Sequence, residues 1–214
     1  MSVSAYFYIQ ITITFLAALT GILNYRKRNK TLLPVVIVLI AVFLQAVIAF
    51  LMGKYLRNNL PVDHFITPVM LGGWGFFFSQ ALEDPRVKKF ALWATVFLIA
   101  CSIVNTLLTG FNVSPWIVMR AVTIFNFILG GLLLMQTLDL SSKENIFTNS
   151  FFLIALAVVW FNMISSLNFF LYDFMKVHKP ARQIINQIHW YSNYIYYSIL
   201  LLAMLFQKKL NKDV

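Results

Sequence analysis

Seven times the chain runs for about 20 residues with almost no charge, the length an α-helix needs to cross the hydrocarbon core of a bilayer. The runs cover residues 5–23, 32–52, 64–81, 90–108, 116–138, 151–170 and 184–206. The segments between them collect the charged and turn-forming residues. Hydrophobic residues make up 60% of the 214 and charged residues 11%, where a globular domain carries about 25% charged. A chain this apolar needs lipid as its solvent. In lipid the backbone must satisfy its own hydrogen bonds, which favours helices for single segments of this length. The expected fold is therefore all-α: a polytopic membrane protein, one bundle of seven transmembrane helices over residues 1–214, with no soluble domain.

The net charge of +10 does not point to nucleic acid, because the basic residues sit in short clusters between the spans, where they face lipid headgroups. Arg26, Lys27, Arg28, Lys30, Arg86, Lys88, Lys89, Lys143, Lys208, Lys209 and Lys212 fall on one side. Lys54, Arg57, Lys176, Lys179 and Arg182 fall on the other. The first set is more than twice the second, and the richer side is cytoplasmic. The N-terminus is therefore expected outside and the C-terminus in the cytoplasm. The first run has no basic stretch before it and several basic residues after it, so it reads as a retained first helix and not as a cleaved signal. Only residues 207–214 follow the last span. An output to the cell interior then has to pass through helix movement or a partner chain. The single cysteine, Cys101, reads as a small apolar filler.

Polar residues inside the spans are unevenly placed. With 1.5 Å of rise per residue, Gln10, Gln45, Ser102, Asn105, Asn162, Ser165, Ser166, Asn168, His189 and Asn193 all fall in outer halves. His64 opens the third span, and Arg120 is about one turn into the fifth. The stretches 32–40 and 154–159 have no polar side chain. Gln80 and Gln136 are exceptions, at inner helix ends. His189 and Asn193 are four apart, as are Asn162 and Ser166, so each pair shares a helix face. Polar faces avoid lipid, which predicts a polar cavity in the outer half above an apolar inner half.

Arg120 is the one charged side chain clearly inside a span. It either snorkels or pairs with Asp63 or Asp173 at nearby helix ends, or it faces the cavity and anchors an anionic group. His64 and His189 are either hydrogen-bonded structural residues or ligand-lining ones. Asn162 and Gln45 suit interhelical hydrogen bonds. Gly72, Gly73 and Gly75 lie within an apolar helix and signal close packing or a bend, not a phosphate loop. His64 and His189 also occupy matching places in a possible arrangement of three helices, one helix and three helices.

None of Asp63, Glu83, Asp84, Asp139, Glu144, Asp173 and Asp213 lies inside a predicted span. This argues against a carboxylate-based proton pump, a di-aspartyl protease and an acidic cation filter. The seventh span has no lysine for a retinal Schiff base, and there is no His-Glu-x-x-His or Gly-x-Ser-x-Gly motif. Hydrolases of the alkaline-ceramidase type have a His-x-x-x-His pair on the last helix. Here that place holds His189 and Asn193, and His178 lies in a loop, so the three ligands of a catalytic zinc site are incomplete. Neither metal nor cofactor is expected.

In four patches the chain resembles a group of bacterial seven-helix membrane proteins. They are Asn58-Asn59-Leu60 leading into His64-Phe65-Ile66-Thr67-Pro68, then Trp160-Phe161, then residues 167–174, and Ile188-His189 with Asn193 and Tyr196-Tyr197. Similar proteins often carry a glutamate soon after the Thr-Pro pair, where this chain has Val69 and Met70. The resemblance implies a bacterial inner membrane and a link to sensor-kinase signalling.

These expectations converge on a receptor-like sensor module. It would bind a small polar or anionic ligand through Arg120, His189, Asn193, His64, Asn162, Gln45 and Asn105, and signal through a partner membrane protein such as a sensor kinase. The alternatives are a small seven-helix solute transporter and an intramembrane metal-dependent hydrolase. Sugar-exporting seven-helix proteins carry prolines at matched membrane positions, whereas Pro34, Pro61, Pro68, Pro85, Pro115 and Pro180 here fall at or near predicted span ends.

Overall fold

The structure is a computed structural model that describes residues 3–24, 30–140, 146–171 and 178–206. Asp173 and many of the basic residues used to orient the chain (Arg26, Lys27, Arg28, Lys143, Lys176, Lys208, Lys209 and Lys212) lie outside the described residues.

Among the described residues all regular structure is helical. Seven long helices follow one another: α1 Val3–Leu23, α2 Leu33–Tyr55, α3 Leu60–Ala81, α4 Pro85–Thr109, α5 Trp116–Leu140, α6 Ser150–Phe170 and α7 Lys179–Leu205. Five of them, α1, α2, α4, α5 and α6, are long and apolar enough to cross a membrane. The other two are as long but more polar: α3 holds Asp63 and His64, and α7 holds Gln187, His189 and Asn193.

The helix starts follow local chemistry. Proline occupies the first turn of α2, α3, α4 and α7, where its missing N–H leaves no bond unmade. Asp84 caps α4 by accepting from the Arg86 N–H at 2.7 Å, and Asn149 caps α6 by accepting from the Phe151 N–H at 2.9 Å. Asn58 Oδ1 accepts from the Leu60 N–H at 3.1 Å. With Pro61 it starts α3 four residues before the predicted span. That shift has two consequences. Asp63 belongs to the helix and not to the connection, and Pro68 lies inside the helix instead of near its start.

Packing partners are sequential, with one departure. Helices α1, α2, α3, α5, α6 and α7 form a closed ring in that order, α7 returning to α1, while α4 lies outside and packs on α3 and α5. Glycines permit the close approaches. A Cβ on Gly73 would run into Val38 of α2, and one on Gly75 into Thr95 of α4. Two nearby positions of α3 thus hold its neighbours on two sides. The outward faces are apolar: Leu107, Leu108 and Ile117 are 78%, 80% and 75% exposed, a surface that belongs in lipid.

One end of the bundle holds the ends of α1, α3 and α5 and the starts of α2, α4 and α6, and its interior is packed with apolar side chains. Val35, Val38, Leu39, Phe77, Phe78, Leu129, Leu133, Ile154, Leu200 and Met204 are fully buried there or near mid-depth. Gln136 stands at this end, accepting from the Glu83 N–H at 2.9 Å and donating to the Ala81 carbonyl at 3.2 Å. It ties α5 to the α3 terminus.

Candidate functional site

The opposite end of the ring opens into a cavity of about 440 Å³, within the usual size range for small-molecule sites. Every helix of the ring contributes and α4 does not. The polar lining is Gln10 from α1, Gln45 from α2, Asn59 just before α3, Asp63 and Thr67 from α3, Thr123 and Asn126 from α5, Asn162 from α6, and His189 and Asn193 from α7. Aromatic side chains complete it: Phe7, Trp74, Phe161, Trp190, Tyr196 and Tyr197.

Among the described residues, the one formally charged side chain in this lining is Asp63. It stands ahead of the predicted third span, half-buried, with Gln45 Nε2 donating to its Oδ1 at 3.2 Å. That bond joins α2 to α3, as expected of Gln45. Thr67, one turn on, donates to the Asp63 carbonyl at 2.6 Å.

The α6–α7 wall is built by stacking. The Phe161 and Tyr196 rings are 4.5 Å apart, and the His189 ring is 5.7 Å from Phe161. Asn193 Nδ2 donates to the His189 carbonyl at 3.2 Å, and Asn162 Nδ2 to the Val158 carbonyl at 2.8 Å. The Asn162 amide is thus tied within its own helix and not across to another. Asn126 Oδ1 and His189 Nδ1 are buried without a hydrogen-bond partner among the described residues. The α7–α1 seam is closed by Trp190 between Tyr6 and Phe7, at 5.3 and 5.1 Å, and by the Tyr194 hydroxyl donating to the Tyr6 carbonyl at 3.0 Å.

Of the seven residues singled out from the sequence, the cavity gathers Gln45, Asn162, His189 and Asn193. Arg120, His64 and Asn105 are not in its lining. Arg120 is half-buried, its guanidinium 5.9 Å from the centre of the Phe170 ring. His64 is buried and clamps three segments. Its Nε2–H donates to the Val113 carbonyl and its Nδ1 bonds the Thr106 hydroxyl, both at 2.8 Å. Asn58 Nδ2 reinforces this clamp by donating to Asn112 Oδ1 at 3.0 Å. Asn105 lies on α4, its Nδ2 buried without a partner.

Asp63 and Asn126 were missed as site residues. Pro61 after Asn58-Asn59 is the signal that moves the α3 start upstream and puts Asp63 and Thr67 on one face. Asn126 lies six residues beyond Arg120 at the centre of an apolar run, and its type alone marks it as facing inward.

A second cavity of about 480 Å³ adjoins the first between α1 and α2, sharing Phe7, Ala49 and Asn59 and carrying Lys54 and Arg57. Arg57 follows the end of α2 with φ of 53°, a left-handed conformation that glycine adopts more readily. Among the described residues no three His, Cys, Asp or Glu side chains gather as a metal site. No family model, curated protein or solved structure matches the chain.

Proposed function

We propose that this protein is a receptor-like membrane module that spans the bilayer seven times, N-terminus outside. It binds a small polar ligand in the cavity among α1, α2, α3, α5, α6 and α7 and signals occupancy through a partner membrane protein. The observation that carries this reading is the contrast between the two ends of the ring: a polar, aromatic-lined cavity at one and a dry, close-packed interior at the other. A ligand can enter such a bundle and shift its helices without crossing it, because binding that favours one arrangement is enough. The polar walls come from Gln45, Asn162, His189 and Asn193, joined by Asp63 and Asn126. The charge pattern of the connections supports the orientation, and the resemblance noted in the sequence supports a bacterial inner membrane and a sensor kinase as partner.

Thermal unfolding of the purified protein against a panel of small polar solutes tests this. A solute at 100 times its Kd stabilises by about 2.7 kcal/mol, and Asn193→Leu is expected to abolish that gain. A panel in which no solute raises Tm contradicts the reading. One observation favours a transporter instead: α4 stands outside a ring made of two sets of three helices. Proteoliposomes decide between them, since a receptor binds the stabilising solute without accumulating it and a transporter accumulates it.

A further inference from the structure

Building on the cavity as a ligand site, we infer that its ligand is a small organic ammonium ion, with Asp63 as counter-ion and the aromatic walls receiving the groups on its nitrogen. Three observations lead there. The first is charge: among the described residues Asp63 is the cavity's sole formally charged side chain, and neither lysine nor arginine lines it. An anionic ligand would face that carboxylate with no compensating cation among the described lining residues, and a neutral one would leave it unused. A carboxylate accepts about four hydrogen bonds, and Gln45 supplies one.

The second is the wall. Trp74, Trp190, Phe161 and Tyr196 present aromatic side chains to the same space. Aromatic faces attract ammonium groups through the ring quadrupole, most strongly where water is excluded. The third is the unused polarity of Asn126 Oδ1 and His189 Nδ1, which suits a ligand with a hydrogen-bonding group beyond its nitrogen. Lys54 and Arg57 belong to the adjoining cavity. Both are exposed, so their repulsion of a cation is screened by solvent and salt.

The test uses the full chain in detergent micelles, with Trp74 and Trp190 as fluorescent reporters. The probes are choline and dimethylbutanol, its uncharged isostere. Choline is expected to perturb the fluorescence at concentrations at least tenfold below those the isostere requires. Asp63→Asn should lower choline affinity at least tenfold and leave the isostere unchanged, while Asp63→Glu restores part of the preference. The ratio between the probes is read on the unaltered protein, so it stands even if Asp63→Asn does not fold. Equal binding of the two probes overturns the ammonium assignment and leaves the cavity as a site for neutral solutes. If neither binds, the assignment also falls. A cysteine at Asn162 then reports on the cavity itself: modified by a small water-soluble thiol reagent, the cavity reading survives, and unreached, it falls too.

Discussion

Asp63 and His64 are neighbours in sequence with different tasks. A helix turns about 100° per residue, so consecutive side chains face apart. Asp63 faces the ring interior with Gln45, while His64 reaches toward α4 and the α4–α5 connection. Removing the imidazole leaves the Val113 carbonyl without that bond, while the Thr106 hydroxyl keeps its donation to the Ser102 carbonyl at 3.0 Å. His64→Ala is therefore expected to destabilise the protein by about 1–3 kcal/mol, the range for losing hydrogen bonds made by a buried polar group. The choline-to-isostere ratio should stay as it was. Thermal unfolding and the fluorescence titration check the two halves, and a changed ratio at full stability would move His64 into the site. Arg120 drew attention in the sequence because depth alone marks an intramembrane charge as notable. Depth does not say which way a side chain points around its helix, and that angle puts Arg120 against Phe170 and Asn126 in the cavity wall.

Glycine placement governs how the helices meet. Gly75 lies where α3 and α4 cross, against the buried Thr95, whose hydroxyl is held by the Ala91 carbonyl at 2.7 Å. A β-branched side chain anchored this way has little rotamer freedom, so a methyl group on Gly75 forces the helices apart. Gly75→Ala should cost about 1–3 kcal/mol, the usual range for overpacking. Gly131→Ala on α5 meets nothing within 4 Å and should be neutral or slightly stabilising through helix propensity. Thermal denaturation of the pair checks this, and equal behaviour would refute the crossing geometry. Helix extents were largely legible in the sequence: all seven fall within five residues of the apolar runs at either end. The largest shifts are at the starts of α3, α4 and α7, where proline and a polar flank begin the helix ahead of its apolar stretch. Hydropathy reports where lipid begins, while capping chemistry reports where the helix begins.

The cavity lies at the end that holds the α2–α3 and α4–α5 connections, the end that the basic-residue distribution assigns to the outside. The uneven depth of polar residues was visible in sequence because each type can be ranked by its cost in lipid. The ring order, with α4 excluded, was not, since it depends on which faces fit each other, and α4 carries Ser102 and Asn105 just as the helices that line the cavity carry polar residues. With Cys101→Ser as background, a cysteine at Asn112 should react with a membrane-impermeant reagent applied outside, and one at Glu83 only after permeabilisation. The reverse pattern would invert the topology and leave the cavity facing the cytoplasm.

The most direct test of the central claim combines depth with direction: modification of Asn162→Cys, in the same background, by a methanethiosulfonate bearing a trimethylammonium group, applied to right-side-out vesicles. Modification from outside that choline slows is expected, alongside no modification of Leu133→Cys in the close-packed interior. Failure to modify Asn162→Cys, or equal modification at both depths, would contradict that claim.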